Sequence, residues 1–219
     1  MAGSAQTVTA VNDAPTLNPL NNVVINEDAG TNLSLSGITS GASNESQVLT
    51  VTATSSNPSL MANPVVSYTS PNGTGSLSLA PLTNANGSAT ITVTVQDDGG
   101  TANGGTNSFA RTFLVTVNPV NDAPTISQIA PQTIDKNTST ASLPFVIGDV
   151  ETAATSLSVS GNSSNTGLIP NANIIFGGSG ASRTVTIAPA LNQTGSATVT
   201  ISVGDGVTNA TSSFLITVN

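Results

Sequence analysis

The chain has 219 residues, enough for one large domain or two of about 110. It is acidic and poor in charge: Lys and Arg number 3, Asp and Glu 11, the net charge is −8 and charged residues are 6% of the total. The absence of Cys and His excludes disulfides, thiolate nucleophiles, zinc–thiolate sites and the commonest general base, and three scattered cations exclude a basic surface for nucleic acid or anionic lipid.

From the N-terminus, Met1–Ser4 lacks the pattern of a signal peptide. Residues 1–10 are expected to be a vector-derived start and the end of a preceding repeat. Short apolar alternations then follow: Val23–Asn26, Leu33–Ser36, Val48–Thr54, Val65–Thr69, Ser76–Ala80, Ala89–Val95 and Phe113–Val117. Ala89-Thr-Ile91-Thr-Val93-Thr-Val95 is the clearest, with Thr between apolar residues throughout. A period of two marks an antiparallel strand with one buried and one wet face. A second series runs through Leu143–Ile147, Leu157–Ser160, Ala172–Phe176, Arg183–Ala188, Ala197–Val203 and Phe214–Val218. Gly, Pro and Asn punctuate both series, as at Ser70-Pro-Asn-Gly73 and Gly177-Gly-Ser-Gly180. No apolar run is long enough to span a bilayer. Disorder does not fit either, because 37% of the chain is hydrophobic and periodically placed.

The two series are copies of one another. Val11-Asn12-Asp13-Ala14-Pro15-Thr16 recurs unchanged as Val120-Asn121-Asp122-Ala123-Pro124-Thr125. Pro81–Val93 matches Pro189–Ile201, and Phe113–Asn118 matches Phe214–Asn219. The predicted organisation is therefore two tandem repeats, 11–118 and 119–219, set end to end because Asn118-Pro119-Val120 is too short for a tether. About seven strands per repeat, with turn signals every 8–12 residues, predict an all-β fold of two immunoglobulin-like Greek-key β-sandwiches. The Cys–Trp–Cys core of antibody domains is missing.

In so uncharged a chain the acids stand out. Glu27 and Asp28 follow the first strand of repeat one; Asp97 and Asp98 follow its penultimate strand, where repeat two has Asp205. Asp13 and Asp122 lie in the repeated motif, and Asp149-Val150-Glu151 in a turn of repeat two. Two readings of this spacing stand side by side. Loop acids solubilise a chain with little other charge, or they gather at a pole and hold a hard divalent cation, which takes six to eight oxygen ligands. No EF-hand loop is present.

The string Asn118-Pro-Val-Asn121-Asp122-Ala-Pro124, with the matching ends of both repeats, resembles the cadherin-like and bacterial immunoglobulin-like tandem repeats of giant cell-surface adhesins. That resemblance implies calcium at the junction, held by Asn118, Val120 through its carbonyl, Asn121 and Asp122, with Glu27 from repeat one and Asp149, Glu151 and Asp205 from repeat two. It also implies a partial calcium site at the N-terminal pole of repeat one, involving Asp13 and Asp97, with Asp98 or Glu45 as further candidates. The chain departs from the pattern around Leu82 and Asn84, where paired acids are expected, so one or two ions per junction fit better than three. Lys136 replaces Glu27 in repeat two.

Catalysis has little to work with. The Gly-rich pieces open no helix and precede no Lys, so they are turns rather than phosphate loops. Asp97 and Asp98 are adjacent, and the stacking aromatics of a glycosidase are nearly missing. Ser and Thr have no activating base. A Lys–Asn crosslink is impossible in repeat one, which has no Lys, and Lys136 sits in a turn. The expected function is a non-catalytic extracellular spacer, a calcium-rigidified stalk segment at a bacterial cell surface. Its partners would be neighbouring repeats, with surface glycan or protein engaged through other domains. The alternative is that the repeats themselves bind carbohydrate or like repeats, which calls for a concave site.

Overall fold

The computed structural model describes residues 10–219, so of the stretch 1–10 expected to be a vector-derived start and the end of a preceding repeat, all but residue 10 lies outside them. The chain divides into two compact units, Met1–Val120 and Asn121–Asn219.

Among the described residues unit 1 has seven strands: β1 (Val23–Asn26), β2 (Thr31–Ser36), β3 (Leu49–Ser55), β4 (Val65–Ser67), β5 (Thr74–Leu79), β6 (Gly87–Asp97) and β7 (Ser108–Asn118). They form a four-stranded sheet in the order β1-β7-β6-β3 and a three-stranded sheet in the order β2-β5-β4. Period two decides which side chains meet. Ala89, Ile91, Val93 and Val95 of β6 are buried, Thr90 points outward, and in register Ile91 pairs with Phe113 and Val93 with Arg111. The core continues through Leu35, Leu77, Leu79, Val115 and Val117. Burying a Leu, Ile, Val or Phe side chain contributes about 1.5–3 kcal/mol each, so alternation alone commits the strands to one face.

Unit 2 repeats the plan with β8 (Thr125–Ile126), β9 (Gln132–Ile134), β10 (Leu143–Gly148), β11 (Ser158–Ser163), β12 (Ile174–Ser179), β13 (Ser182–Ile187), β14 (Gly195–Gly204) and β15 (Asn209–Val218). Its sheets are β11-β14-β15-β9 and β12-β13-β10-β8. Among the described residues every strand pairing is antiparallel except β1 with β7 and β9 with β15. Phe145, Ile147, Val185, Ile187, Val199, Ile201, Phe214 and Ile216 fill its core. Both units are immunoglobulin-like β-sandwiches.

β8 and β9 have no counterpart in the sequence-based strand series. At two and three residues they are too short to show a period. Unit 1 replaces β8 with a single bridge, Thr16 to Thr39. Left-handed turn residues recur at matched places, Asp28 and Asn137, Asn84 and Asn192. These are residue types whose short polar side chains tolerate that conformation.

Candidate functional site

The repeated Asn-Asp motif is held the same way in both units. In unit 1 the Asn12 side-chain amide donates to Asp97 Oδ1 (2.9 Å) and the Asp13 main-chain N–H donates to Glu45 Oε1 (3.0 Å). In unit 2 the Asn121 amide donates to Asp205 Oδ2 (2.9 Å) and the Asp122 N–H to Glu151 Oε2 (3.1 Å). The motif's proline, Pro15 or Pro124, is buried beneath the clamp. Each unit thus grips the segment that leads into it with one carboxylate from the end of the penultimate strand and one from the loop after β2 or β10.

The two clamps differ in how their carboxylates are used. A carboxylate offers about four acceptor positions. Asp205 has donors for all of them: the Val207 and Thr208 N–H groups on Oδ1 (2.6 and 2.7 Å), and Asn121 Nδ2 and the Thr208 hydroxyl on Oδ2 (2.9 and 3.0 Å). These hydrogen bonds, the one from Asn121 foremost, hold its carboxyl well below the usual aspartate range. Asp97 is 4% exposed and uses Oδ1 for Asn12 and the Gly99 N–H, while Oδ2 is buried without a partner. Glu45 Oε2 and Gln47 Oε1 are likewise buried and unpartnered, although Gln47 Nε2 donates to Asn12 Oδ1. Gly99 is needed where it stands, because a Cβ there would collide with Asn12 Oδ1. Asn12, Glu45, Gln47, Asp98 and Gly99 line a shallow opening of about 460 Å³.

At the opposite poles the contrast centres on Glu27, where unit 2 has Lys136. Glu27 is 3% exposed; its main-chain N–H donates to the Asn118 carbonyl (2.9 Å) and its Oε1 accepts the Val120 N–H (2.7 Å). Asn86 Nδ2 approaches Oε2 at 3.4 Å. In unit 2 the Lys136 N–H makes the equivalent bond to the Asn219 carbonyl (2.8 Å), and Lys136 is exposed.

The residues named from sequence are therefore engaged within their own units. Glu27, Asn118 and Val120 meet in unit 1; Asn121, Asp122, Glu151 and Asp205 meet in unit 2, where Asp149 Oδ1 accepts the Glu151 and Thr152 N–H groups and Oδ2 is buried without a partner. Among the described residues no three His, Cys, Asp or Glu side chains group closely enough to hold a metal ion. Amide and main-chain oxygens would have to complete any cation site. Sequence reasoning missed Gln47 and the clamping role of Asn12. The second was signalled by the recurrence of Asn beside Asp in the motif; the first had no signal, since the loop around it has no twin in unit 2.

Fold and clamp define tandem immunoglobulin-like repeats. Residues 12–109, most of the first repeat, match the bacterial Ig domain family. No curated protein matches the chain. Among solved structures it is similar to titin domains Z1Z2 in complex with telethonin (17% identity, 96% of this chain and 98% of that one, TM-score 0.41). It is also similar to the human desmocollin-1 ectodomain (12%, 94% and 42%, 0.37) and to an endo-fucoidan hydrolase of glycoside hydrolase family 107 (18%, 100% and 30%, 0.38). The chain thus spans less than half of the last two.

Proposed function

We propose that the two units are non-catalytic extracellular repeats that extend a bacterial surface protein as a calcium-stiffened spacer. The observation that carries this reading is the duplicated clamp. A chain that lengthens by adding units needs a device that fixes each incoming segment, and Asn12 with Asp13 and Asn121 with Asp122 are gripped by the same bonds. The partners are then neighbouring repeats of the same chain, with surface glycan or protein met by other domains. No helix among the described residues is long and apolar enough to cross a membrane.

Calcium is the cofactor proposed. The donor set is all oxygen, which suits a hard cation. Buried acceptors without donors, Asp97 Oδ2, Glu45 Oε2, Gln47 Oε1 and Asp149 Oδ2, favour a cation because a buried carboxylate oxygen is costly unless paired. Asp97 and Glu45, with Asp13 beside them, would serve at the first pole. At the 118–122 linker the proposed ligands are Glu27, Asn118, the Val120 carbonyl, Asn121, Asp122, Asp149 and Glu151. Asp205, named for that linker on sequence grounds, has its acceptor positions taken by internal donors and acts there by holding Asn121.

Small-angle scattering with calcium and with chelator tests the reading. Chelation is expected to broaden the distance distribution while the β circular dichroism stays unchanged, and Asp122→Ala in saturating calcium is expected to do the same. Identical profiles in calcium and chelator would remove calcium from the linker.

A further inference from the structure

The outer strands β3 and β11 carry no Lys, Arg, Asp, Glu or Pro over Leu49–Ser55 and Ser158–Ser163. Exposed sheet edges are usually guarded against strand addition by such residues. Antiparallel pairing sends the N–H and C=O groups of successive residues to opposite sides. The Ser56 N–H bonds to the Thr90 carbonyl of β6 (3.0 Å), so Leu49, Val51, Ala53 and Ser55 direct their main-chain groups away from the sheet. In unit 2 the Ser164 N–H bonds to the Thr198 carbonyl (2.9 Å), so Val159, Gly161 and Ser163 face outward.

Some of these outward donors are capped by side chains, and one cap is duplicated. Asn63 Oδ1 accepts the Ser55 N–H at 2.9 Å, and Asn171 Oδ1 accepts the Ser163 N–H at 2.9 Å, each from eight residues downstream. Asn171 is itself steadied by donating to Asn162 Oδ1 (3.0 Å). In unit 1 the other end of the edge is closed as well, where the Leu49 N–H donates to Ser70 Oγ (2.9 Å). What remains open is short: Val51 and Ala53 on β3, Val159 and Gly161 on β11.

We propose that Asn63 and Asn171 are edge plugs, amide side chains that do the work of the missing charges by keeping β3 and β11 from pairing with the same strand of a second copy. An added antiparallel strand needs a continuous run of outward donors and acceptors. Occupying the last donor cuts the open outward donors on each edge from three to two, which leaves an added strand fewer ladder bonds than an ordinary strand makes. The partner excluded is a second copy of this chain, whose own β3 and β11 present the same uncharged edge.

Sedimentation velocity over a wide concentration range, on the full chain, tests this with Asn63→Ala and Asn171→Ala. The double variant is expected to associate at least about tenfold more tightly than the parent. Its new hydrogen-exchange protection should fall on residues 49–55 and 158–163. Asn63→Asp with Asn171→Asp keeps the acceptor oxygens and is expected to match the parent, which separates plugging from a general loss of stability. Equal association of parent and alanine variant would overturn the proposal. So would association of the aspartate variant, or association whose protection lies elsewhere, and none of these three results bears on calcium at the poles.

Discussion

The two N-terminal clamps grip the same six-residue motif through the same pair of bonds, yet one leaves buried oxygens unsatisfied and the other leaves Asp205 none to spare. The difference lies in the loop after the penultimate strand. In unit 2 that loop is a tight turn, and the Val207 and Thr208 N–H groups fold straight back onto Asp205. In unit 1 it runs from Asp98 to Asn107 with a 3-10 turn at Ala102–Gly104. Its nearest N–H, from Gly99, reaches only one oxygen of Asp97. Loop length thus decides whether a shared acid is consumed internally or kept available. A repeated motif fixes where a carboxylate stands; the unrepeated loop beside it fixes what the carboxylate can do.

The comparison presumes two sandwiches that are alike below their poles, and core truncation tests that first. Ile91 on β6 and Ile201 on β14 stand two residues apart in the aligned repeats, opposite Val199 and Val93 respectively, and both are fully buried. Ile91→Ala and Ile201→Ala should each cost about 2–5 kcal/mol, read by calorimetry as a fall in one unit's transition only. A much smaller loss in either would show that the cores are not equivalent. The C-terminal poles come next. Glu27→Ala strips the acceptor from the Val120 N–H and should cost unit 1 about 1–3 kcal/mol in chemical denaturation. Lys136→Ala, exposed and bonded only through its main chain, should stay within about 0.5 kcal/mol. Equal effects would mean that the carboxylate adds nothing to the shared backbone bond.

Asp97→Asn sharpens the contrast between the clamps themselves. In calcium the variant should lose the ligand-linked stabilisation, about 1.4 kcal/mol at a tenfold excess over the dissociation constant; in chelator it should melt no lower than the parent. A variant that is equally destabilised in both solutions would assign Asp97 to the clamp alone. The smallest effect is in acid. Because hydrogen bonds depress Asp205 below the usual aspartate range, its contribution is complete above the unfolded-state pKa of about 4. It is lost only as pH falls through the lower folded value. The Asn121 side-chain amide resonances should therefore keep their positions down through pH 4 and move only in stronger acid. Movement centred on the ordinary aspartate value would contradict the four-donor arrangement.

Much of this was readable before any coordinates. Thr alternating with Ile and Val in β6 and β14 announces both the strand and its buried face, and the duplicated Asn-Asp motif announces the clamp. The edge plugs were also within reach, because Asn63 and Asn171 stand at the same offset as the matched Pro81 and Pro189. What stayed hidden has physical reasons. β8 and β9 are held by neighbours rather than by their own two or three residues, and the parallel pairing of β1 with β7 depends on contacts about 90 residues apart. The unpartnered oxygens of Glu45, Gln47 and Asp97 depend on loop geometry, which leaves no periodic trace.

The placing of the three cations bears on how such a chain meets proteases. Arg111 lies within β7, part-buried, with its Nε donating to the Leu17 carbonyl and its guanidinium over the Phe109 ring. Arg183 lies within β13, its guanidinium donating to the Gly180 and Ala154 carbonyls. A protease that cuts after basic residues needs an extended, accessible stretch of backbone, and paired strands refuse it. Lys136 alone is exposed outside a strand, in the turn after β9. The folded chain therefore offers such enzymes a single bond, Lys136–Asn137, in its second unit and none in its first.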